Sequence, residues 1–196
     1  EFEEAVPAAK ALAEGGIPVC EVLMRNENSL KHLNNIAKDA PEVIVGAGSV
    51  LNLRQAEQVV DLGAKFIVMP GFSREVAEFC LKKDVSVLPG CVTATEIIMA
   101  LEYGIEVLKF YPVYEMGGTQ TLAQFNNGPF GMVEWVVTGG LNGENFLPLV
   151  KYKNTLAAGG DWMFNENNAL INSDYEQIAV NTRKTVLDSL AAMAEK

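Results

Sequence analysis

The sequence places a lysine inside an apolar stretch, residues 107–112 (VLKFYP). Strand alternation puts Lys109 on one face of this stretch and its neighbours Leu108 and Phe110 on the other, which we expect to pack against helices. Lys109 then points into the interior, where loss of hydration lowers the pKa of an ammonium group. A neutral lysine amine attacks keto groups and forms imines. The alternative is a buried lysine that pairs with a carboxylate and does no chemistry.

A second pair of charged residues lies in an earlier apolar stretch, residues 19–25, where alternation puts Glu21 and Arg25 on one face. A glutamate beside an interior lysine can act as the general acid/base of an aldol reaction. An arginine near a strand end can bind a carboxylate through two hydrogen bonds. A fully extended strand would separate Glu21 and Arg25 by roughly 13 Å, so both reach one small substrate only if the chain bends. An inner salt bridge with a surface arginine is the alternative.

Glycine pairs end the last two apolar stretches, in the sequences Thr138-Gly139-Gly140 and Gly159-Gly160-Asp161. Glycines let backbone amides approach an anion, and barrel enzymes often bind phosphate in two such loops. A carboxylate aimed at a phosphate would repel it. Asp161 therefore argues against a phosphate site, unless it points outward or caps the following helical turn.

Seven short apolar stretches alternate with helical patterns at intervals of about twenty residues, which predicts parallel strands joined by crossover helices. A closed barrel has eight strands, whereas an open doubly wound sheet usually has fewer, so the strand count leaves both architectures open. The chain opens with a helical pattern over residues 3–14. A barrel therefore requires that its first strand be absent from this chain.

Helix boundaries agree with this alternation. Capping-box patterns occur at residues 93–96 (TATE) and 173–176 (SDYE), and Asn52 and Ser73 are expected N-caps. Linkers, charge blocks and low-complexity stretches are lacking in the sequence. We therefore expect a single domain over residues 1–196.

Composition excludes several classes of function. A formal net charge of −10 argues against nucleic acid, which requires a basic surface. The sequence has neither an apolar run long enough to span a membrane nor a signal peptide at its start. Its three cysteines lack disulfide or metal spacing, and its single histidine makes a histidine-based metal site implausible. We expect a cytoplasmic protein without metal or other cofactor.

A series of short motifs follows one another along the chain. They are Glu4-Ala5-Val6-Pro7, Ala9-Lys10-Ala11-Leu12, Gly15-Gly16, Glu21-Val22, Val45-Gly46-Ala47-Gly48-Ser49-Val50-Leu51-Asn52, Pro70-Gly71, Lys109-Phe110-Tyr111-Pro112, Gly128-Pro129-Phe130 and Thr138-Gly139-Gly140. In this order they resemble the 2-keto-3-deoxy-6-phosphogluconate / 4-hydroxy-2-oxoglutarate (KDPG/KHG) aldolase family, and the similarity runs from the first residues to Trp162.

The resemblance implies a (β/α)8 barrel whose first strand lies upstream of Glu1, a homotrimer and no metal. It also implies that Lys109 is the Schiff-base lysine and Glu21 the general acid/base. Arg25 and Ser49 match the positions that hold the pyruvyl carboxylate, with Ser49 where threonine is common.

Further positions of the resemblance surround this centre. Pro70 and Tyr111 are expected to contact substrate, and Tyr111 adds a hydroxyl where phenylalanine is usual. Asp161 replaces an expected serine, which puts recognition of a phosphate in doubt. The positions that match the family's phosphate loops are Thr138, Gly139, Gly140, Gly159 and Gly160.

The resemblance thus predicts a metal-independent (class I) aldolase that reversibly cleaves a 2-keto-3-deoxy sugar acid, 6-phosphorylated in the leading hypothesis, to pyruvate and an aldehyde such as glyceraldehyde 3-phosphate. The Asp161 carboxylate motivates an alternative, 4-hydroxy-2-oxoglutarate or another non-phosphorylated keto acid. An alternative of another class is a phosphate-ligand binding barrel that has lost catalysis.

Overall fold

The computed structural model describes residues 4–194, and its strands and helices alternate along the chain. The strands are β1 (Val19–Leu23), β2 (Ile44–Gly48), β3 (Phe66–Val68), β4 (Ser86–Leu88), β5 (Val107–Phe110), β6 (Glu134–Thr138) and β7 (Thr155–Gly159). The helices are α1 (Ala5–Glu14), α2 (Ser29–Asp39), α3 (Leu53–Asp61), α4 (Arg74–Lys83), α5 (Ala94–Leu101), α6 (Gly118–Asn127), α7 (Leu147–Val150), α8 (Trp162–Asn165) and α9 (Tyr175–Met193), with a 3₁₀ turn at Glu166–Asn168.

All strand pairings are parallel, and the strands follow one another in chain order. Strands β1–β4 form one sheet and β5–β7 another, and a bridge between Gly90 and Lys109 joins the two. Sequential order belongs to a (β/α) barrel, since an open doubly wound sheet reverses its order partway. The barrel prediction is confirmed.

The ring is open at one point, because β1 and β7 form no ladder with each other within residues 4–194. Apolar side chains next to this opening are exposed, among them Val19 and Leu156. The expectation that an eighth strand lies outside this chain stays a prediction.

Two of the four N-caps expected from the sequence form the expected side-chain hydrogen bonds. Thr93 forms the expected capping box of α5 with Glu96, and the Asn52 side chain accepts from the Gln55 amide to cap α3. The capping box expected at residues 173–176 is wrong, because Asp174 is the N-cap of α9 and accepts from the Gln177 amide.

Two further expectations on helices have a mixed outcome. Ser73 occupies the N-cap position of α4, but its side chain makes no capping hydrogen bond. The first residue of the helical pattern at 3–14 lies outside the described residues.

Within residues 4–194, no helix is both long and apolar enough to cross a membrane.

The outer face of the ring packs against helices as alternation predicts. Leu108 and Phe110 are fully buried, and the Phe110 ring makes edge contacts with Trp135 of β6 and Phe125 of α6, with centroids 5.5 and 6.5 Å away. The Trp135 indole donates to the buried Asn126 side chain of α6 at 2.9 Å. This packing leaves the opposite face of β5 for the interior of the ring.

The ends of β3 and β4 approach so closely that only glycine fits at position 90. A Cβ atom on Gly90 would overlap the carbonyl group of Pro70, whereas one on Gly71 would meet nothing within 4 Å. A backbone carbonyl held between two strands cannot move aside as a flexible side chain can. Gly90 therefore sets how closely the ends of β3 and β4 approach each other beside Lys109.

We expect Gly90→Ala to lower the free energy of unfolding by about 1–3 kcal/mol, the usual cost of overpacking. Gly71→Ala, in the loop that starts at Pro70, is the matched control and should change it by less than about 0.5 kcal/mol. Urea unfolding followed by circular dichroism measures both. Equal stabilities of the two variants would contradict the close approach.

Candidate active site

Lys109 and Glu21 meet inside the ring from opposite strands. Lys109 lies on β5 with 8% of its surface exposed, and its Nζ atom is 3.8 Å from Oε1 of Glu21 on β1. This Oε1 atom is buried and has no hydrogen-bond partner. The pair is thus near enough for electrostatic coupling, but it is not closed into a tight salt bridge that would occupy both groups.

The environment of Lys109 favours its neutral form. Burial is the largest effect and lowers the pKa of Lys109, the Glu21 carboxylate opposes this shift, and the Arg25 guanidinium adds to it. The net direction is downward from 10.5. Because an imine-forming lysine must lose its proton before it attacks, this shift favours nucleophilic chemistry.

Two glycines of β2 are a sequence signal for the position of Glu21 that the strand pattern alone did not reveal. A Cβ atom on Gly48 of β2 would overlap the Glu21 carboxyl group, and one on Gly46 would overlap the Phe66 ring. The two glycines alternate along one strand and therefore share a face. They indicate an inward face cleared for neighbouring side chains, one of which is the carboxylate beside Lys109.

Arg25 joins the site because the chain bends. Strand β1 ends at Leu23, and the Arg25 amide donates to the Leu23 carbonyl at 2.8 Å, in a tight turn of three residues. The Arg25 Nε atom then donates to Oγ of Ser49 at 2.8 Å. Ser49 has φ 57°, a left-handed conformation that aims its side chain across from the end of β2. Arg25 therefore does not continue the line of β1, and the separation from Glu21 that an extended strand would give does not apply.

Tyr111 flanks Lys109 at the open end of the ring. The Lys109 Nζ atom is 5.4 Å from the centre of the Tyr111 ring, which is 39% exposed. Pro70, also exposed, follows β3 on the neighbouring part of the rim, with its carbonyl against Gly90. Both predicted substrate-contact residues therefore lie at the carboxyl ends of strands, where barrel sites are built.

The two glycine loops lie side by side. Thr138 pairs with Gly159, so the ends of β6 and β7 are adjacent. Gly139 and Gly140 have φ values of 97° and 69°, which side-chain-bearing residues rarely adopt. The Thr138 Oγ1 atom is buried without a hydrogen-bond partner.

Asp161 is exposed at the end of the second glycine loop. It occupies the N-cap position of α8, but its side chain makes no capping hydrogen bond. The sequence offered capping as one way for Asp161 to leave a phosphate site undisturbed, and the structure contains no such bond. The Asp161 side chain is thus exposed beside Gly160 and makes no capping bond.

The amine of Lys109, the carboxylate of Glu21 and the guanidinium of Arg25 thus lie around the open end of the ring. Across residues 4–194, no group of three or more histidine, cysteine or acidic side chains could hold a metal ion. The protein groups themselves can supply a nucleophile, a proton carrier and a carboxylate clamp.

Exchanging the charges next to Lys109 should move its pKa in opposite directions. Glu21→Gln removes the group that raises the Lys109 pKa, so the neutral amine should appear at lower pH than in the native protein. Arg25→Gln removes a group that lowers it, so the neutral amine should appear at higher pH. Competitive acetylation of Lys109 against pH, quantified by peptide mass spectrometry, measures both shifts. Shifts of the same sign in the two variants would contradict this electrostatic account.

Comparisons with known proteins agree with this geometry. Residues 1–180 match the family described as KDPG and KHG aldolase. The chain is 37% identical over 186 residues to the KHG/KDPG aldolase of Escherichia coli K12, covering 95% of this chain and 86% of that protein. It is 38% identical over 184 residues to the 2-dehydro-3-deoxy-phosphogluconate aldolase of Treponema pallidum, covering 94% and 87%.

A solved structure extends the likeness to three dimensions. The KDPG aldolase of Legionella pneumophila, with pyruvate captured as a covalent carbinolamine intermediate, superposes with a TM-score of 0.89 at 32% identity, covering 94% of this chain and 89% of that one. The chain therefore belongs to the KDPG and KHG aldolase family, and it is a class I aldolase.

Proposed function

We propose that this chain reversibly cleaves a 2-keto-3-deoxy sugar acid to pyruvate and an aldehyde, with Lys109 as the Schiff-base nucleophile and Glu21 as the proton carrier. The observation that carries the proposal is the buried Lys109 amine 3.8 Å from the Glu21 carboxylate. The relatives in Escherichia coli and Treponema pallidum are named for this chemistry. Membership of a class I aldolase family leaves no support for the non-catalytic barrel.

The first half of the reaction forms the imine. The neutral Nζ of Lys109 attacks the C2 carbonyl carbon and gives a carbinolamine. Glu21 takes up the proton that the Lys109 ammonium loses before the attack and passes it to the C2 hydroxyl. This hydroxyl leaves as water, and a protonated imine remains. Its positive charge makes C2 an electron sink. Burial of Lys109 assists the first step, because it raises the fraction of amine that can attack.

The second half breaks the carbon–carbon bond. Glu21 removes the proton of the C4 hydroxyl, the C3–C4 electron pair moves toward C2, and the imine becomes an enamine as the aldehyde departs. Protonation of C3 regenerates the imine, and water releases pyruvate and the free amine. The buried Oε1 atom of Glu21 has no hydrogen-bond partner, so it is available for these transfers.

The substrate carboxylate has a binding site next to this centre. The Arg25 guanidinium and the Ser49 hydroxyl are linked at 2.8 Å and present adjacent donors after β1 and β2. An arginine can bind a carboxylate through parallel hydrogen bonds. We therefore orient the keto acid with its carboxylate toward Arg25 and its C2 carbon toward Lys109.

Borohydride reduction in the presence of pyruvate tests the nucleophile. We expect the mass of a reduced pyruvate adduct on the peptide that contains Lys109, and no adduct in Lys109→Met. Circular dichroism controls for folding of the variant, whose unbranched side chain fits the same space. An adduct on another lysine, or none in the native chain, would reject Lys109 as the nucleophile.

The role of Glu21 is tested separately. Glu21→Gln keeps the shape of the side chain but cannot carry a proton, so kcat should fall by about 10²–10⁴-fold, the usual contribution of a general acid/base. Coupled detection of released pyruvate measures kcat, and a pyruvate adduct should still be trapped on prolonged incubation. A kcat within threefold of the native value would contradict the assignment.

We also propose a homotrimer in the cytoplasm. Exposed apolar side chains on α9, among them Val180, Leu187 and Leu190, support burial against a partner, since monomers rarely keep large apolar patches in water. The free thiols of Cys20, Cys80 and Cys91 suit a reducing compartment.

Light scattering tests the trimer and should give about three times the 21.2 kDa mass of one chain. A monomer mass would contradict the trimer.

A further inference from the structure

The loops that follow β5, β6 and β7 are uniformly acidic. Residues 111–117, 138–146 and 159–168 contain no lysine or arginine. Their charged side chains are four carboxylates: Glu115, Glu144, Asp161 and Glu166. These loops include both glycine pairs, so a ligand that reaches the glycines enters an acidic environment.

The carboxylates lie close to the glycine loops. The Oε1 atom of Glu115 is 4.0 Å from the position that a Cβ atom on Gly140 would take. The Glu166 carboxylate lies against Gly143, in the same loop after β6. Asp161 directly follows Gly160, and its side chain makes no capping hydrogen bond.

Hydrogen bonds hold the loop after β6 in this arrangement. The Tyr114 hydroxyl donates to the Asn145 carbonyl at 2.5 Å, and the Asn145 side chain donates to the Gly140 carbonyl at 2.9 Å. Asn142 and Asn145 also bond to each other's backbone amides. The Asn145 side chain thus uses both its amide oxygen and its amide nitrogen within the loop.

One polar group in this region is buried and unoccupied. The Oγ1 atom of Thr138 has no hydrogen-bond partner, although it is shielded from solvent. A buried hydroxyl without a partner is costly, and a hydroxyl group of the substrate tail would satisfy it.

The direction of the substrate follows from the proposed function, on which this inference rests. The carboxylate end is bound at Arg25 and Ser49, and the keto carbon is at Lys109 of β5. The remaining carbons then extend toward the loops after β5, β6 and β7. The tail of the substrate therefore meets the acidic loops and the Thr138 hydroxyl.

We propose that this tail site accepts an uncharged, hydroxyl-bearing tail, so that the preferred substrate is a 2-keto-3-deoxy sugar acid without a phosphate. A terminal phosphate or a second carboxylate would be repelled by Asp161 and its acidic neighbours. The aldehyde product is accordingly an uncharged hydroxyaldehyde. Asp161 is the specificity-determining residue, since it directly follows the glycine pair.

The test compares kcat/KM for 2-keto-3-deoxygluconate, its 6-phosphate and 4-hydroxy-2-oxoglutarate, with pyruvate release as the readout. The native chain should prefer the first by roughly tenfold or more over both anionic-tail compounds. Asp161→Asn should raise the ratio of kcat/KM for the 6-phosphate to kcat/KM for 2-keto-3-deoxygluconate by roughly tenfold. Because the Asp161 side chain is exposed and makes no capping bond, the variant should fold normally.

Asp39→Asn is the matched control, because it removes the same charge from the last residue of α2, which precedes β2 at the opposite end of the ring. It should leave all three values unchanged. Raising the salt concentration should reduce the discrimination in the native chain more than in Asp161→Asn, since ions screen exposed charges.

Three outcomes would overturn the inference. They are a native preference for the 6-phosphate, a native preference for 4-hydroxy-2-oxoglutarate, and identical effects of the variants at positions 161 and 39. In each of them, a pyruvate adduct trapped on Lys109 would leave the proposed function standing. Failure to trap that adduct and to turn over any of the three compounds would overturn both proposals.

Discussion

The structure depends on keeping the Lys109 amine out of water while leaving it reachable. The backbone of the same residue joins the two sheets: its amide donates to the Pro89 carbonyl and its carbonyl accepts from the Cys91 amide, both at 2.9 Å. The proposed nucleophile therefore lies at the junction of the two sheets. Burial lowers the pKa of Lys109, so the packing that forms the barrel also favours the neutral amine that the proposed reaction needs.

Space around this amine comes from residues that have no side chain. Gly48 leaves room for the Glu21 carboxyl group, and Gly90 lets the strand before Lys109 approach Pro70. Gly139 lies similarly close to Tyr111 and Pro112, where the loop after β6 passes the end of β5. Close packing normally fills a ring interior with side chains. Here, glycines make room for the side chains and the backbone that surround the Lys109 amine.

Alternation in the sequence predicted which strand face carries Lys109, because strong apolar neighbours leave only one direction for a charged group. Chain order of the strands and the position of the glycine loops were predictable for the same reason, since they follow from local patterns. The turn at Arg25 and the left-handed Ser49 were not, because each depends on a contact between separate loops. The predicted N-cap of α9 was wrong by one residue, because Ser173 and Asp174 are both good N-caps. The Ser173 hydroxyl instead donates to the Glu4 carboxylate.

In the proposed binding mode, the charges on the rim orient the substrate more than the net charge of the chain does. The net charge of −10 acts on every anion alike, and physiological salt screens it beyond about 8 Å. The rim itself is asymmetric: Arg25 lies after β1, and Asp161 lies after β7. A keto acid that placed its carboxylate near Asp161 would lose its hydrogen bonds to Arg25, and the Asp161 carboxylate would repel it. Both effects disfavour this reverse orientation. With Arg25 as the proposed carboxylate site, this charge asymmetry would orient the substrate before the chemical steps.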